Sequence, residues 1–281
     1  MNEARLSQGT IRYRDEGSGE PLLFVHGLLV NGRLWEQVVD LLQPDYRCIV
    51  PDLPLGSHRS PMNEDADLSP PGVARIVGEL IEHLELDRVT LVGNDSGGAI
   101  SQILATTQPE RVGRLILTNC DAYENFPPKL FWYLLAAARV PGAMTVLSQS
   151  MRLKPLRRTP VAFGVLTKSK LDSELLEDWV RPGLDDPGVR RDSGKFLRGS
   201  SPKQTMEAAR KLENFHSPTL FAWAPEDRWF PIEHAERLAA SMPDARVVRI
   251  DDAKTFVSID QPERLAAAID AFVREKKPVA A

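Results

Sequence analysis

Short runs of Val, Ile, Leu and Phe alternate along the chain with longer stretches whose apolar residues recur every three to four positions. Residues 21–27 (PLLFVHG), 47–52 (RCIVPD), 88–93 (RVTLVG), 114–119 (RLILTN), 219–224 (TLFAWA) and 246–250 (RVVRI) read as strands. Their nearly continuous apolarity suits a parallel sheet covered on both faces, not a half-exposed one, which would alternate. Between the second and third runs, Val73, Ile76, Val77, Leu80, Ile81 and Leu84 trace one helix face. The stretch after Gly97 repeats that period with Ile100, Ile103 and Leu104. Near the end, Pro262 marks a helix start, and Leu265, Ile269, Phe272 and Val273 supply its buried stripe. Strands separated by helices predict right-handed crossovers and an α/β fold with a mostly parallel sheet.

One stretch breaks the rhythm. Residues 121–214 carry helical patterns (LFWYLLAAARV, SELLEDWV) but no convincing strand. That length far exceeds a loop, so an inserted helical cap is expected there, with 1–120 and 215–281 forming the core. An insertion after a strand's C-terminal end lies over the edge where open α/β sheets bind ligands. Arg152, Lys154, Arg157 and Arg158 fall within it and read as a solvated face, while Phe131, Trp132 and Trp179 read as cap core.

Composition narrows the class. Of 281 residues, 42% are hydrophobic and 26% charged, with 35 basic against 39 acidic residues and a formal net charge of −4. A basic stripe for nucleic acid is missing, so no nucleic-acid partner is expected. Cys48 and Cys120 alone make neither a disulfide framework nor a metal cluster, and no metal or cofactor is expected. No signal-like N-terminus and no run of about 18 apolar residues is found. The expectation is therefore a cytoplasmic monomer or homodimer with a small-molecule substrate and no membrane partner.

The chemistry concentrates in LVGNDSGGAI (91–100), where a buried strand runs into a helix through Gly93, Gly97 and Gly98. Such a turn needs small neighbours and holds its central side chain proud of the sheet. In the pattern G-x-nucleophile-x-G, Gly93 and Gly97 put Asp95 at the centre, whereas Ser96 is one place out of register. Asp is also a good helix N-cap, which is the plainer role for Asp95. Here the sequence resembles the α/β-hydrolase superfamily, from the Val-His-Gly turn at 25–27 to the last helix. More narrowly it is similar to the branch with an aspartate nucleophile, which includes haloalkane dehalogenases, fluoroacetate dehalogenases and epoxide hydrolases. The resemblance implies backbone oxyanion donors at Leu28 and Ser96, with His26 a structural turn residue. It places the supporting acid at Asp227 in WAPEDRWFP (223–231), or at Asp121 directly after a strand; a helix-start carboxylate is the plainer role for Asp227.

The resemblance also implies a histidine after the last strand, and there this chain has Thr255. Threonine cannot replace imidazole, because its hydroxyl does not take a proton near neutral pH. The five histidines are 26, 58, 83, 216 and 234. His58, in PDLPLGSHRSP, follows a strand's C-terminal end and is the one candidate stand-in base, against the plainer role of a loop hydrogen bond. His83 reads as structural, His216 lies at the opposite sheet edge, and His234 falls off its helix's apolar face and is expected exposed. The dehalogenase Trp after the nucleophile is replaced by Ser96, and Tyr123 and Tyr133 are candidate proton donors to an epoxide. The leading expectation is attack by Asp95 on a small, largely apolar substrate, with turnover in doubt. Its rivals are a serine esterase using Ser96 and a non-hydrolytic ligand-binding protein on the same fold.

Overall fold

In the computed structural model, which describes residues 1–275, eight strands form one sheet in the order β1-β2-β4-β3-β5-β6-β7-β8. They are β1 Asn2–Leu6, β2 Gly9–Glu16, β3 Glu20–Val25, β4 Tyr46–Asp52, β5 Val89–Asp95, β6 Val112–Cys120, β7 Thr219–Trp223 and β8 Ala245–Arg249. From β4 onward every pairing is parallel. The six predicted runs are all strands, displaced by a residue or two. The first two strands, by contrast, were not expected. They form an antiparallel hairpin, and β2 joins β4 antiparallel. Within β2 only Ile11 and Tyr13 are buried, so this edge strand alternates and lacks the continuous apolar run of the central ones.

The helices are α1 Glu36–Leu42, α2 Pro70–His83, α3 Ser96–Thr107, α4 Trp132–Arg139, α5 Ala143–Ser150, α6 Ser173–Asp185, α7 Pro187–Gly199, α8 Pro202–Leu212, α9 Ile232–Ser241, α10 Val257–Asp260 and α11 Pro262–Glu275. Because side chains alternate along a strand, each central strand feeds two cores. Leu23, Leu91, Leu115 and Phe221 pack with α2, α3, α8 and α9 on one face. Phe24, Val92, Ile116 and Leu220 pack with α1, α10 and α11 on the other. The second core continues upward into Phe163, Leu166 and Trp179 of the insertion, so cap and core share apolar packing.

Five helices, α4 to α8, lie between β6 and β7. The first four, α4 to α7, pack on one another. The last, α8, packs against α3, and its Thr205 hydroxyl donates to the Tyr123 carbonyl, 2.5 Å away. It is the crossover helix that the parallel β6–β7 pairing requires, so α8 belongs to the core layer although it falls inside 121–214.

Candidate active site

Three chain turns meet at the C-terminal edge of the sheet. At the first, β5 ends and α3 begins with no intervening loop. Asp95 takes φ 53° and ψ −132°, a conformation that L-residues rarely adopt and that costs about 1–3 kcal/mol. Packing holds it there. A Cβ on Gly97 would sit 2.3 Å from the Val25 carbonyl, so the first turn of α3 rests directly on the end of β3. A Cβ on Gly27 would come within 2.6 Å of the Asp95 Cβ, so the turn after β3 closes against the aspartate itself.

The Asp95 carboxylate is asymmetric. Oδ1 accepts the Ser96 backbone N–H at 2.5 Å and the Ser96 hydroxyl at 3.1 Å, while Oδ2 has no partner among the described residues. Burial pushes the Asp95 carboxyl up to about 6, against the pull of the two Ser96 donors, and the Asp227 charge adds to the rise. The Ser96 hydroxyl is thus given to the neighbouring carboxylate, and it also lies close enough to Asp121 to offset part of the rise of that carboxyl. The Leu28 N–H donates to no protein acceptor among the described residues.

Asp227, the candidate acid, and Thr255, which stands where the resemblance implies a histidine, are brought together. The Thr255 hydroxyl donates to Asp227 Oδ2 at 2.8 Å, and Oδ1 accepts the backbone N–H groups of Trp229 and Phe230. Both side chains are buried. Burial raises the Asp227 carboxyl to about 6 despite these donors. Asp121 is different. It is fully buried, neither oxygen has a hydrogen-bond partner among the described residues, and burial together with the Asp95 charge holds it well above the usual carboxylate range. It makes no hydrogen bond to Thr255, whose hydroxyl goes to Asp227 instead.

Two asparagines that sequence reasoning missed bind these turns together. Asn94 Nδ2 donates to the Thr118 hydroxyl at 2.8 Å and to the carbonyls of Asn119 and Thr255 at 3.0 and 2.7 Å. Asn119 pairs through its amide with both the N–H and the carbonyl of Ala224. The ends of β5, β6 and β7 and the loop after β8 are thereby tied by side chains whose partners lie up to 161 residues away.

The histidines stand apart from this cluster. His26 is buried, donates through Nδ1 to the Gly27 carbonyl and accepts the Leu53 N–H at Nε2, and burial lowers it to about 4, so it is a neutral turn residue. His58, the candidate stand-in base, is instead enclosed between core and cap. Its Nδ1 accepts from the Gly56 N–H and its Nε2 lies 3.1 Å from Asp192 of α7, which leaves no ring nitrogen for a substrate. His234 is half-buried rather than exposed, packed edge-on to Tyr123.

A cavity of about 120 Å³ opens above Asp95 and Ser96, with Leu28 at its floor and Phe131, Trp179 and Val180 of the cap at its roof. Asp95, Ser96 and Leu28 are brought together there as expected; Asp227, Thr255, Asp121 and His58 do not line it. Tyr133 does line it, with its hydroxyl donated to the Val161 carbonyl, whereas Tyr123 does not. Trp179, which reads as plain cap core, has a further property. It is only 1% exposed and its indole N–H has no acceptor among the described residues.

A two-faced parallel sheet, a strained strand-to-helix turn and an inserted cap define a class. The chain belongs to the α/β-hydrolase fold family, whose sequence profile matches residues 20–262, and it is an enzyme of that family. It is 29% identical over 277 residues to haloalkane dehalogenase 2 of Mycobacterium tuberculosis, covering 94% of this chain and 91% of that one. It is 28% identical over 259 residues to the 2-hydroxy-6-oxo-6-phenylhexa-2,4-dienoate hydrolase of Burkholderia cepacia, covering 88% and 85%. Among solved structures, a putative ancestral haloalkane dehalogenase superposes with a TM-score of 0.79 at 22% identity over 98% of this chain and 99% of the other, a likeness of fold. Among the described residues no helix is long and apolar enough to cross a membrane.

The raised Asp95 carboxyl has a consequence for stability. Its folded value, about 6, exceeds the ordinary 3.8, so the folded state holds a proton that the unfolded chain releases, and wild-type stability falls as pH rises from about 4 to 6. Asp95→Asn removes that loss. Denaturant melts should show the variant more stable than wild type at pH 8, by at most about 3 kcal/mol, with the gain vanishing below about pH 4.

Proposed function

We propose that Asp95 attacks an sp3 carbon bearing a leaving group, or an epoxide carbon, and becomes alkylated. The observation that carries this reading is the division of labour within its carboxylate. With Oδ1 held by the Ser96 N–H and hydroxyl, Oδ2 is the free oxygen at the cavity floor. Oδ2 forms the new C–O bond as the bond to the leaving group breaks, and the leaving group departs with the electron pair. Oδ1 then becomes the ester carbonyl oxygen, already aimed at the Ser96 N–H, with the Leu28 N–H as second donor for the oxyanion that water addition would create. For an epoxide, the Tyr133 hydroxyl in the cavity wall would supply the proton.

Hydrolysis of the ester is the weak step. Thr255 accepts no proton and already gives its hydroxyl to Asp227. Asp227 supports a residue that cannot act as base, and no histidine lines the cavity. The ester therefore accumulates. The serine-esterase reading is disfavoured, because the Ser96 hydroxyl is bonded to Asp95 and no imidazole is near it.

Intact-mass measurement after incubation with bromoalkanes and epoxides should show a single adduct on the peptide bearing Asp95. Asp95→Asn should abolish it and Ser96→Ala should retain it; absence of any adduct across the panel would return the protein to the binding class. With a neutral bromoalkane, the alkylation rate should rise with pH through an inflection near 6 and level off above 7, because only the carboxylate form of Asp95 attacks. Thr255→His should convert the stalled adduct into turnover, a gain of about a hundred- to ten-thousandfold in release of the alcohol.

A further inference from the structure

The cavity wall holds only two charged side chains among the described residues, and they belong to different layers. One is Asp95 at the floor. The other is Arg190, on the first half of α7 in the cap. Among the described residues no hydrogen bond or ion pair joins the guanidinium to the aspartate.

The surroundings of Arg190 form a polar end in an otherwise apolar space. Its Nη1 donates to the carbonyls of Gly183 and Leu184 at 2.8 and 3.2 Å, in the last turn of α6. The Ser148 hydroxyl donates to the same Gly183 carbonyl, and the Ser193 hydroxyl donates back to the Arg190 carbonyl. Gly56, Ser148, Gly183 and Ser193 all line the cavity with it. Helix capping accounts for Nη1 alone. An arginine carries five N–H donors, and the Nε and Nη2 edge of Arg190 has no protein partner among the described residues, nor does the side chain form an ion pair with any carboxylate. That free edge is the fork that takes a carboxylate through two parallel hydrogen bonds.

We propose that Arg190 is the recognition site for a carboxylate at the far end of the substrate, so that the substrate is an amphiphilic acid whose electrophilic carbon and anionic group lie at opposite ends of a short apolar chain. The proposal rests on Asp95 as nucleophile for its reactive end only. Electrostatics fix the orientation. The Asp95 charge repels a carboxylate from the floor, Arg190 attracts it at the other end, and the leaving-group carbon is the part left to meet Oδ2. The apolar wall between them, with Leu29, Leu134 and Leu147, accommodates the methylene chain.

The test uses ω-bromocarboxylates of three to eight carbons and the matching primary amides, with the rate of the Asp95 adduct read by intact mass at pH 8. One chain length should react at least about tenfold faster as the acid than as the amide, the usual scale for hydrogen bonds to a charged group. Arg190→Gln should bring that ratio to about one, and Arg190→Lys should keep part of it, since an ammonium retains the charge without the fork. A merely structural arginine would lower stability in both variants and leave the ratio unchanged. In parallel, calorimetric titration with unreactive straight-chain acids and amides should show the acid bound about tenfold more tightly by the wild type and equally by Arg190→Gln. Equal binding and equal reactivity of acid and amide in the wild type would overturn the assignment of Arg190. Calorimetric preference without any adduct would overturn the alkylation by Asp95 and leave the anion site standing.

Discussion

The site depends on one contact, the seating of the first turn of α3 on the end of β3. Gly97 lies against the Val25 carbonyl so closely that no side chain fits between them. That approach forces β5 to turn into α3 within a single residue, and Asp95 takes the strained conformation as a result. The strain is local, but what maintains it is global: sheet pairing on both sides of β5 and the apolar layers that pack α3 down. A carboxylate placed on a flexible loop would rotate into hydration. Here its orientation is set by backbone geometry, and one oxygen is committed to the helix while the other is left free.

The second arrangement joins the loops after β7 and β8 through a hydrogen bond from Thr255 to Asp227. Asp227 accepts two backbone N–H groups and one hydroxyl, so its buried carboxyl group is well supplied with donors. Asn94 anchors the Thr255 carbonyl and Asn119 anchors Ala224, ahead of the Asp227 loop, so the framework is braced independently of the chemistry it carries. Reactivity and architecture are separable at this edge of the sheet.

Most of the fold was legible because burial on both faces of a parallel sheet writes itself as unbroken apolar runs. The edge hairpin was not, because Ile11 and Tyr13 alone face inward and their neighbours are polar. The crossover helix α8 was hidden for a different reason: its amphipathic pattern matches that of the cap helices before it, and only the parallel β6–β7 pairing says which layer it serves. Within the site, Asp95 was readable because glycine spacing is a local constraint. Asn94 and Asn119 were not, since their partners come from other turns of the chain. Arg190 also escaped notice, because a guanidinium becomes informative only when the donors left unused after folding are known.

The loop after β4 reaches across to the cap at three successive residues. Ser57 donates to the Trp179 carbonyl, His58 meets Asp192, and Arg59 pairs with Asp178, which also accepts from Asn31. These links hold the roof in place when the cavity contains nothing. A ligand entering it need not supply the free energy of drawing the cap down, so its affinity reflects fit alone. The same preorganisation means that molecules are sorted by whether they fit an existing shape. The roof that any ligand meets is thus one that the protein's own side chains have already tied to the core.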